Sequence, residues 1–219
     1  MYYSEFIQNQ QTDFDWSYIY GKVKEMVPEG LPPPKGKPVR ITHFVDANLG
    51  HDKVTGRACS GMLTMLNLTP VDAYSKLQNT VETATYGSEF SVARLGCDKA
   101  LAERYKLRAL GVPIDGPSYM FGDNKSVVLS ASIPTHGLNK RHNFLACHRV
   151  RKCLAATHNG EPILRFFHIS GKDNPSDIQT KSLPGSEIHR HMKPWLHWVD
   201  RSENAMLNSQ QMGSVKMAG

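Results

Sequence analysis

Apolar positions along the chain recur with two different periods, and the places where one period gives way to the other divide it into elements. Val39 to Val45 alternates loosely and ends at Asp46, after which Ala-Asn-Leu-Gly-His-Asp carries turn residues. The spacing predicts a strand with an acid at its C-terminal end. Ala58 to Leu68 and Pro70 to Ser75 predict two more strands, and the short Asn-Leu-Thr-Pro connection makes them antiparallel neighbours. From about Thr83 the period becomes helical, with Tyr86, Phe90, Ala93, Cys97, Leu101 and Tyr105 three or four residues apart until Gly111 and Pro113 stop the run. Glu89 falls three residues after Tyr86 and four before Ala93, so its carboxylate leaves from the edge of the apolar face and needs a partner.

Ser118 to Gly122 reads as a short buried strand, with Asp123 directly after it and a weakly helical Lys-Ser-Val-Val-Leu beyond. After the Pro134-Thr-His-Gly break, Leu138 to about Ala156 predicts a basic helix with Phe144, Leu145, Val150 and Leu154 on its apolar side. Pro162 to His168 predicts a last strand, and Asn174-Pro175 offers a cap and first-turn pair for a helix running to about Leu183. Antiparallel strands first and helix-joined strands later make an α/β order with a mixed sheet.

At the N-terminal side, Pro28-Glu-Gly-Leu-Pro-Pro-Pro-Lys-Gly-Lys-Pro38 denies itself helix and interior strand, so residues 1–37 read as a linker. One domain is expected over 38–184, a helical extension over 185–202 and a disordered tail over 203–219. The 219 residues suffice for one core with extensions. The net charge of +6 and pI near 9.1 favour a polyanionic partner, although excess basic charge is also common on proteins that never touch nucleic acid. Cys59, Cys97, Cys147 and Cys153 form no C-x-x-C pair, which fits a reducing compartment. No run reaches the roughly 18 apolar residues of a membrane span, and the N-terminus lacks a charged start followed by an apolar stretch. An intracellular, soluble protein is expected.

Each acid has a plain structural reading. Asp123 could cap the helix that follows it, Asp177 could be held by a helix dipole, Asp46 could close an Asx-turn, and Glu89 could pair with a nearby cation. As a group they say more. Ligands of open α/β sheets collect at the C-terminal ends of parallel strands, where Asp46 and Asp123 are placed, and the helix starts carrying Glu89 and Asp177 can flank the same crevice. Two carboxylates about 4 Å apart repel by roughly 4 kcal/mol at an effective dielectric of about 20. Hard divalent cations, which prefer oxygen ligands, turn such a cluster into a charge-matched site, and two of them can activate water against a phosphodiester.

Six motifs follow one another along the chain: Phe-Val-Asp46-Ala, Thr-Gly-Arg-Ala-Cys-Ser-Gly61, Ser-Lys-Leu-Gln-Asn-Thr-Val81 followed by Gly-Ser-Glu89-Phe, Gly-Asp123-Asn, Lys-Arg-His142, and Asp-Asn-Pro-Ser-Asp177-Ile-Gln-Thr-Lys181. Through them the sequence resembles the ribonuclease H domain at the C-terminal end of copia-type retrotransposon polyproteins. These motifs follow the family's order over about Val39 to Leu183. The resemblance implies a ribonuclease-H-like, five-stranded mixed sheet flanked by helices. It also implies that Asp46, Glu89, Asp123 and Asp177 form a two-metal site for Mg²⁺, with Mn²⁺ as a substitute, and that His168 assists proton transfer or product release.

The implied substrate is the RNA strand of an RNA–DNA hybrid, and the implied partner is the reverse transcriptase of the parent polyprotein. The implied setting is the cytoplasm, within a virus-like particle of the parent element, or the nucleus. Lys76, Lys140, Arg141, His142, Arg149, Arg151 and Lys152 are the candidates for nucleic-acid contacts, against the alternative of a solvated basic face. Tyr74 stands where the family usually has tryptophan, Lys76-Leu-Gln where it has Lys-Lys-Gln, Ser176 for alanine and Gln179 for an apolar residue. No Tyr-x-Asp-Asp polymerase motif occurs, so the chain is expected to be a fragment, a processed product or a degenerate copy. His189, His191 and His197, near Trp195 and Trp198, match no standard metal-ligand spacing and point to a docking helix.

Overall fold

The computed structural model describes Phe14 and residues 16–133 and 143–195. The chain divides into two compact units, Met1–Leu183 and Pro184–Gly219. Among the described residues of the first unit, the first element is a single helical turn, α1 (Ser17–Tyr20), followed by an extended arm. Three strands follow, β1 (Ile41–Asn48), β2 (Cys59–Leu66) and β3 (Thr69–Leu77), then the long helix α2 (Thr85–Ala109) and β4 (Ser118–Gly122). Two helices, α3 (Lys125–Ser132) and α4 (Phe144–Leu154), a small hairpin of β5 (Thr157–His158) and β6 (Glu161–Pro162), and β7 (Leu164–His168) complete the scaffold.

The main sheet has the order β3-β2-β1-β4-β7. β1, β2 and β3 form the expected antiparallel meander, whereas β4 runs parallel to β1 and β7 parallel to β4. Parallel neighbours cannot be joined by a tight turn. α2 makes the first crossover, and the segment containing α3 and α4 makes the second.

One face of the sheet packs on the helices through Val45, Met62, Met120 and Phe166, which meet Phe90, Ala93, Cys97, Val127, Cys147 and Val150 in a single core. α2 lies close because Gly96 faces the sheet: a Cβ there would stand 2.6 Å from Met120 Sδ and 3.1 Å from Val45 Cγ1. The other face carries a row of buried rings, Phe44 on Phe121 at 5.4 Å and Phe121 on Phe167 at 5.9 Å between centroids. Burying each such side chain contributes about 1.5–3 kcal/mol.

Two expectations are corrected. The arm expected as a linker lies against the domain: Trp16 is buried, Glu25 N donates to Thr157 O at 2.9 Å, and Lys35 N donates to Gly111 O at 2.8 Å. Prolines and glycines exclude helix, but they do not prevent an extended chain from pairing its backbone with whatever it crosses. Glu25 adds the main anchor, 2.7 Å from both Arg104 Nε and Arg108 Nη2 and 3.3 Å from His158 Nδ1. The last helix of this unit, α5 (Asp177–Thr180), is also much shorter than the predicted run to Leu183. Lys181 is already extended, with φ −121° and ψ 143°, three residues before Pro184. Asn174 does not cap it; its buried amide donates to Val45 O at 3.0 Å and its oxygen accepts from the Ser176 hydroxyl at 2.7 Å.

In the second unit the described residues contain α6 (Gly185–Met192), with an ion pair of 2.8 Å between Glu187 and Arg190. The tail expected over 203–219 lies outside the described residues. Among the described residues no helix is long and apolar enough to cross a membrane.

Candidate metal centre

Because β1 and β4 are parallel, Asp46 near the end of β1 and Asp123 just after β4 leave the sheet at the same edge. Asp123 is not consumed as a helix cap, since Asn124 takes that position and accepts from Val127 N at 3.3 Å. Glu89 reaches the same edge from α2, its Oε1 accepting from Ala47 N at 3.3 Å. One carboxylate oxygen from each of Asp46, Glu89 and Asp123 lies within 4.8 Å of the other two. Asp46 and Glu89 are only 1% and 4% exposed, so the repulsion between them is poorly screened by water.

Asp177 stands outside this three-acid group but is tied to it. Lys181 Nζ is 2.8 Å from Asp177 Oδ1 and 3.6 Å from Asp46 Oδ2, and the Thr180 hydroxyl donates to the same Asp46 oxygen. The short helix carrying these residues is pinned to the sheet by polar contacts. Asn48 Nδ2 and His51 Nδ1 donate to Thr180 O at 3.0 and 3.1 Å, and Ser75 Oγ donates to Gln179 O at 2.6 Å. Gly61, the register partner of Asp46 on β2, makes the approach possible. A Cβ there would meet Thr180 Cγ2 at 2.5 Å, Gln179 Cβ at 2.8 Å and Ser176 O at 3.0 Å.

Electrostatics records the crowding. Burial, then the charges of Asp46 and Asp123, holds the Glu89 carboxyl well above its ordinary range. Asp123 is pushed up to about 6 by burial and by Asp46 and Asp177, with Lys181 acting against them. Burial alone would lower the Lys181 ammonium, but the hydrogen bond to Asp177 and the charges of Asp46, Asp177 and Asp123 outweigh it, and its pKa is raised. These carboxylates are short of positive charge. Their donors are all oxygen, which fits a hard divalent cation such as Mg²⁺. His168, at the end of β7, donates from Nε2 to the Asp123 carbonyl at 3.1 Å and so borders the group.

Solved structures similar to this chain include two ribonuclease H domains. The N-terminal RNase H domain of Rv2228c from Mycobacterium tuberculosis, as a fusion with maltose-binding protein, is 13% identical at a TM-score of 0.45, covering 71% of this chain and 97% of that one. LC11-RNase H1, isolated from compost by a metagenomic approach, is 15% identical at 0.46, covering 64% and 92%. No family model and no curated protein matches the sequence.

The basic residues separate into different groups. Arg151 is corrected from phosphate contact to structural anchor: it is 8% exposed, donates from Nε and Nη2 to Ser130 O at 2.9 and 2.6 Å, and lies 5.1 Å from the Trp16 ring centroid. Arg149 is half-exposed and pairs with Asp98 at 2.6 Å. Lys152 and Lys76 are exposed, the latter on edge strand β3 next to Ser75 and so beside α5. Lys140, Arg141, His142, His197 and Trp198 lie outside the described residues.

Thr180 and Lys181 were present in the motif without a role. The spacing of four residues from Asp177 to Lys181 is the signal for their ion pair. Nothing local signals the reach of Thr180 to Asp46, which is 134 residues away in the chain.

Proposed function

We propose that this chain hydrolyses the RNA strand of RNA–DNA hybrids with divalent cations held by Asp46, Glu89, Asp123 and Asp177, as the ribonuclease H part of a copia-type polyprotein in reverse transcription. One observation carries the reading: three carboxylates from β1, α2 and the end of β4 converge within 4.8 Å. The β3-β2-β1-β4-β7 order and the motif resemblance support it.

Asp46, Glu89 and Asp123 would hold one ion, and Asp177 would share a second with Asp46. When bound, a pair of Mg²⁺ ions supplies an activated water and stabilises the leaving oxygen of the phosphodiester. The Thr180 hydroxyl fixes the Asp46 carboxylate, Glu89 is oriented by the Ala47 amide, and both carboxylates are buried from bulk water. His168, fixed beside Asp123, is placed to transfer a proton or assist product release. Lys76 and Lys152, with Lys140, Arg141 and His142, would contact phosphates. Selection of the hybrid would rest on 2′-hydroxyls and helix shape, not base edges.

The test is cleavage of end-labelled hybrid, double-stranded RNA and double-stranded DNA by the full chain with Mg²⁺. Internal cuts in the RNA of the hybrid alone, leaving a 3′-hydroxyl and a 5′-phosphate, are expected. Asp46→Asn should lower the rate by about a thousandfold. An intact hybrid beside a control enzyme that digests it would overturn the proposal and leave a chain that binds nucleic acid or docks on a polymerase without cutting.

A further inference from the structure

The proposed site already contains one positive charge of its own. That charge is the ammonium of Lys181, the residue just beyond α5. Its ammonium bridges Asp177 and Asp46, the two acids that belong to different elements and that a second ion would have to share. Lysine suits such a place: its ammonium is a compact point charge on a flexible stem. The stem starts from an extended residue just beyond α5, and the side chain is 35% exposed, so it can swing into solvent without disturbing the core.

Resting on the divalent-cation reading above, we propose that Lys181 is a built-in counter-ion: it occupies the cation position between Asp46 and Asp177 in the metal-free protein and must leave before a second divalent ion can enter. The two ion positions are therefore unequal. The position made by Asp46, Glu89 and Asp123 fills without moving Lys181. The position toward Asp177 fills only when the ammonium is displaced, and a phosphate of the bound strand is the natural new partner for it. Loading of the second ion and binding of nucleic acid thus reinforce each other, while the empty protein avoids four uncompensated carboxylates.

The experiment uses the full chain without nucleic acid. Mn²⁺ binding is followed by electron paramagnetic resonance, and thermal melting is compared in EDTA and in Mg²⁺. Relative to wild type, Lys181→Met should bind the weaker Mn²⁺ about tenfold more tightly or better. It should also melt lower in EDTA and gain more from Mg²⁺. Lys181→Arg, which keeps the charge, should stay near wild type, and Lys181→Gln should repeat the methionine result with a polar side chain. If wild type binds two ions and the neutral variants bind them no differently, the counter-ion role is wrong and the metal-dependent reading stands. If neither wild type nor the neutral variants bind Mn²⁺, both are wrong.

Discussion

Helix α2 carries buried charge near both of its ends, and the two ends are treated in opposite ways. Toward its C-terminal end, Arg104 and Arg108 surround one buried carboxylate, Glu25 of the arm, with His158 beside it. Burial acts to raise the Glu25 pKa, but the Arg104 hydrogen bond and charge, helped by Arg108, outweigh it and hold the carboxyl below its ordinary value. Toward the N-terminal end, Glu89 faces Asp46 and Asp123, and burial and those charges add instead of cancelling. Burial of an acid is thus common to a structural clasp and to a candidate site. What separates them is whether the protein supplies the opposite charge or leaves it to be brought in.

The largest effect is expected at the clasp. Glu25→Ala strands Arg104 in the interior, and a loss of about 3–5 kcal/mol in urea unfolding is expected. A loss below 1 kcal/mol would mean the arm is not anchored there. Next is Gly61→Ala, whose added methyl collides with Thr180, Gln179 and the Ser176 carbonyl. A cost of about 1–3 kcal/mol is expected, together with weaker Mn²⁺ binding as α5 moves from Asp46. Unchanged binding would show that α5 does not shape the centre.

The smallest effect has the opposite sign. Glu89→Gln keeps the hydrogen bond from Ala47 N and removes a repelling charge, so in EDTA it should raise the Tm by about 2–4 °C. Its pH dependence sharpens the point. The folded pKa of Asp123 is raised to about 6, so the folded protein holds more protons there than the unfolded chain between the ordinary carboxylate range and about pH 6, and Glu89, also raised, acts in the same direction. These two groups therefore make metal-free stability fall as pH rises through that window. The fall should be shallower in Glu89→Gln, and a melting series in EDTA from pH 4 to about 7 reads it.

The ends of the sheet were legible in the sequence. The strand leading to Asp46 and the short buried strand ending at Gly122 were readable, although β1 runs on through Asp46 to Asn48, and the helical run placed Glu89 at the edge of its apolar face, because strand and helix periods are local properties. The strand from Ser118 to Gly122 has those bounds in the structure. What was hidden depends on distant partners. Arg151 follows the pattern of a solvated basic helix, yet its guanidinium is satisfied by the Ser130 carbonyl and covered by Trp16, neither of which periodicity can foresee. The arm was hidden for the same reason: its fixed points are Thr157, Gly111 and Arg104, all far along the chain. Thr180 and Lys181 belonged to a recognised motif, but only the fold brings them to Asp46.

Anomalous diffraction from crystals of the full chain grown with Mn²⁺ tests the centre most directly. A peak coordinated by Asp46, Glu89 and Asp123 is predicted, lost in Asp46→Asn. Manganese bound only elsewhere, or those three carboxylates still bare at saturating Mn²⁺, would contradict it.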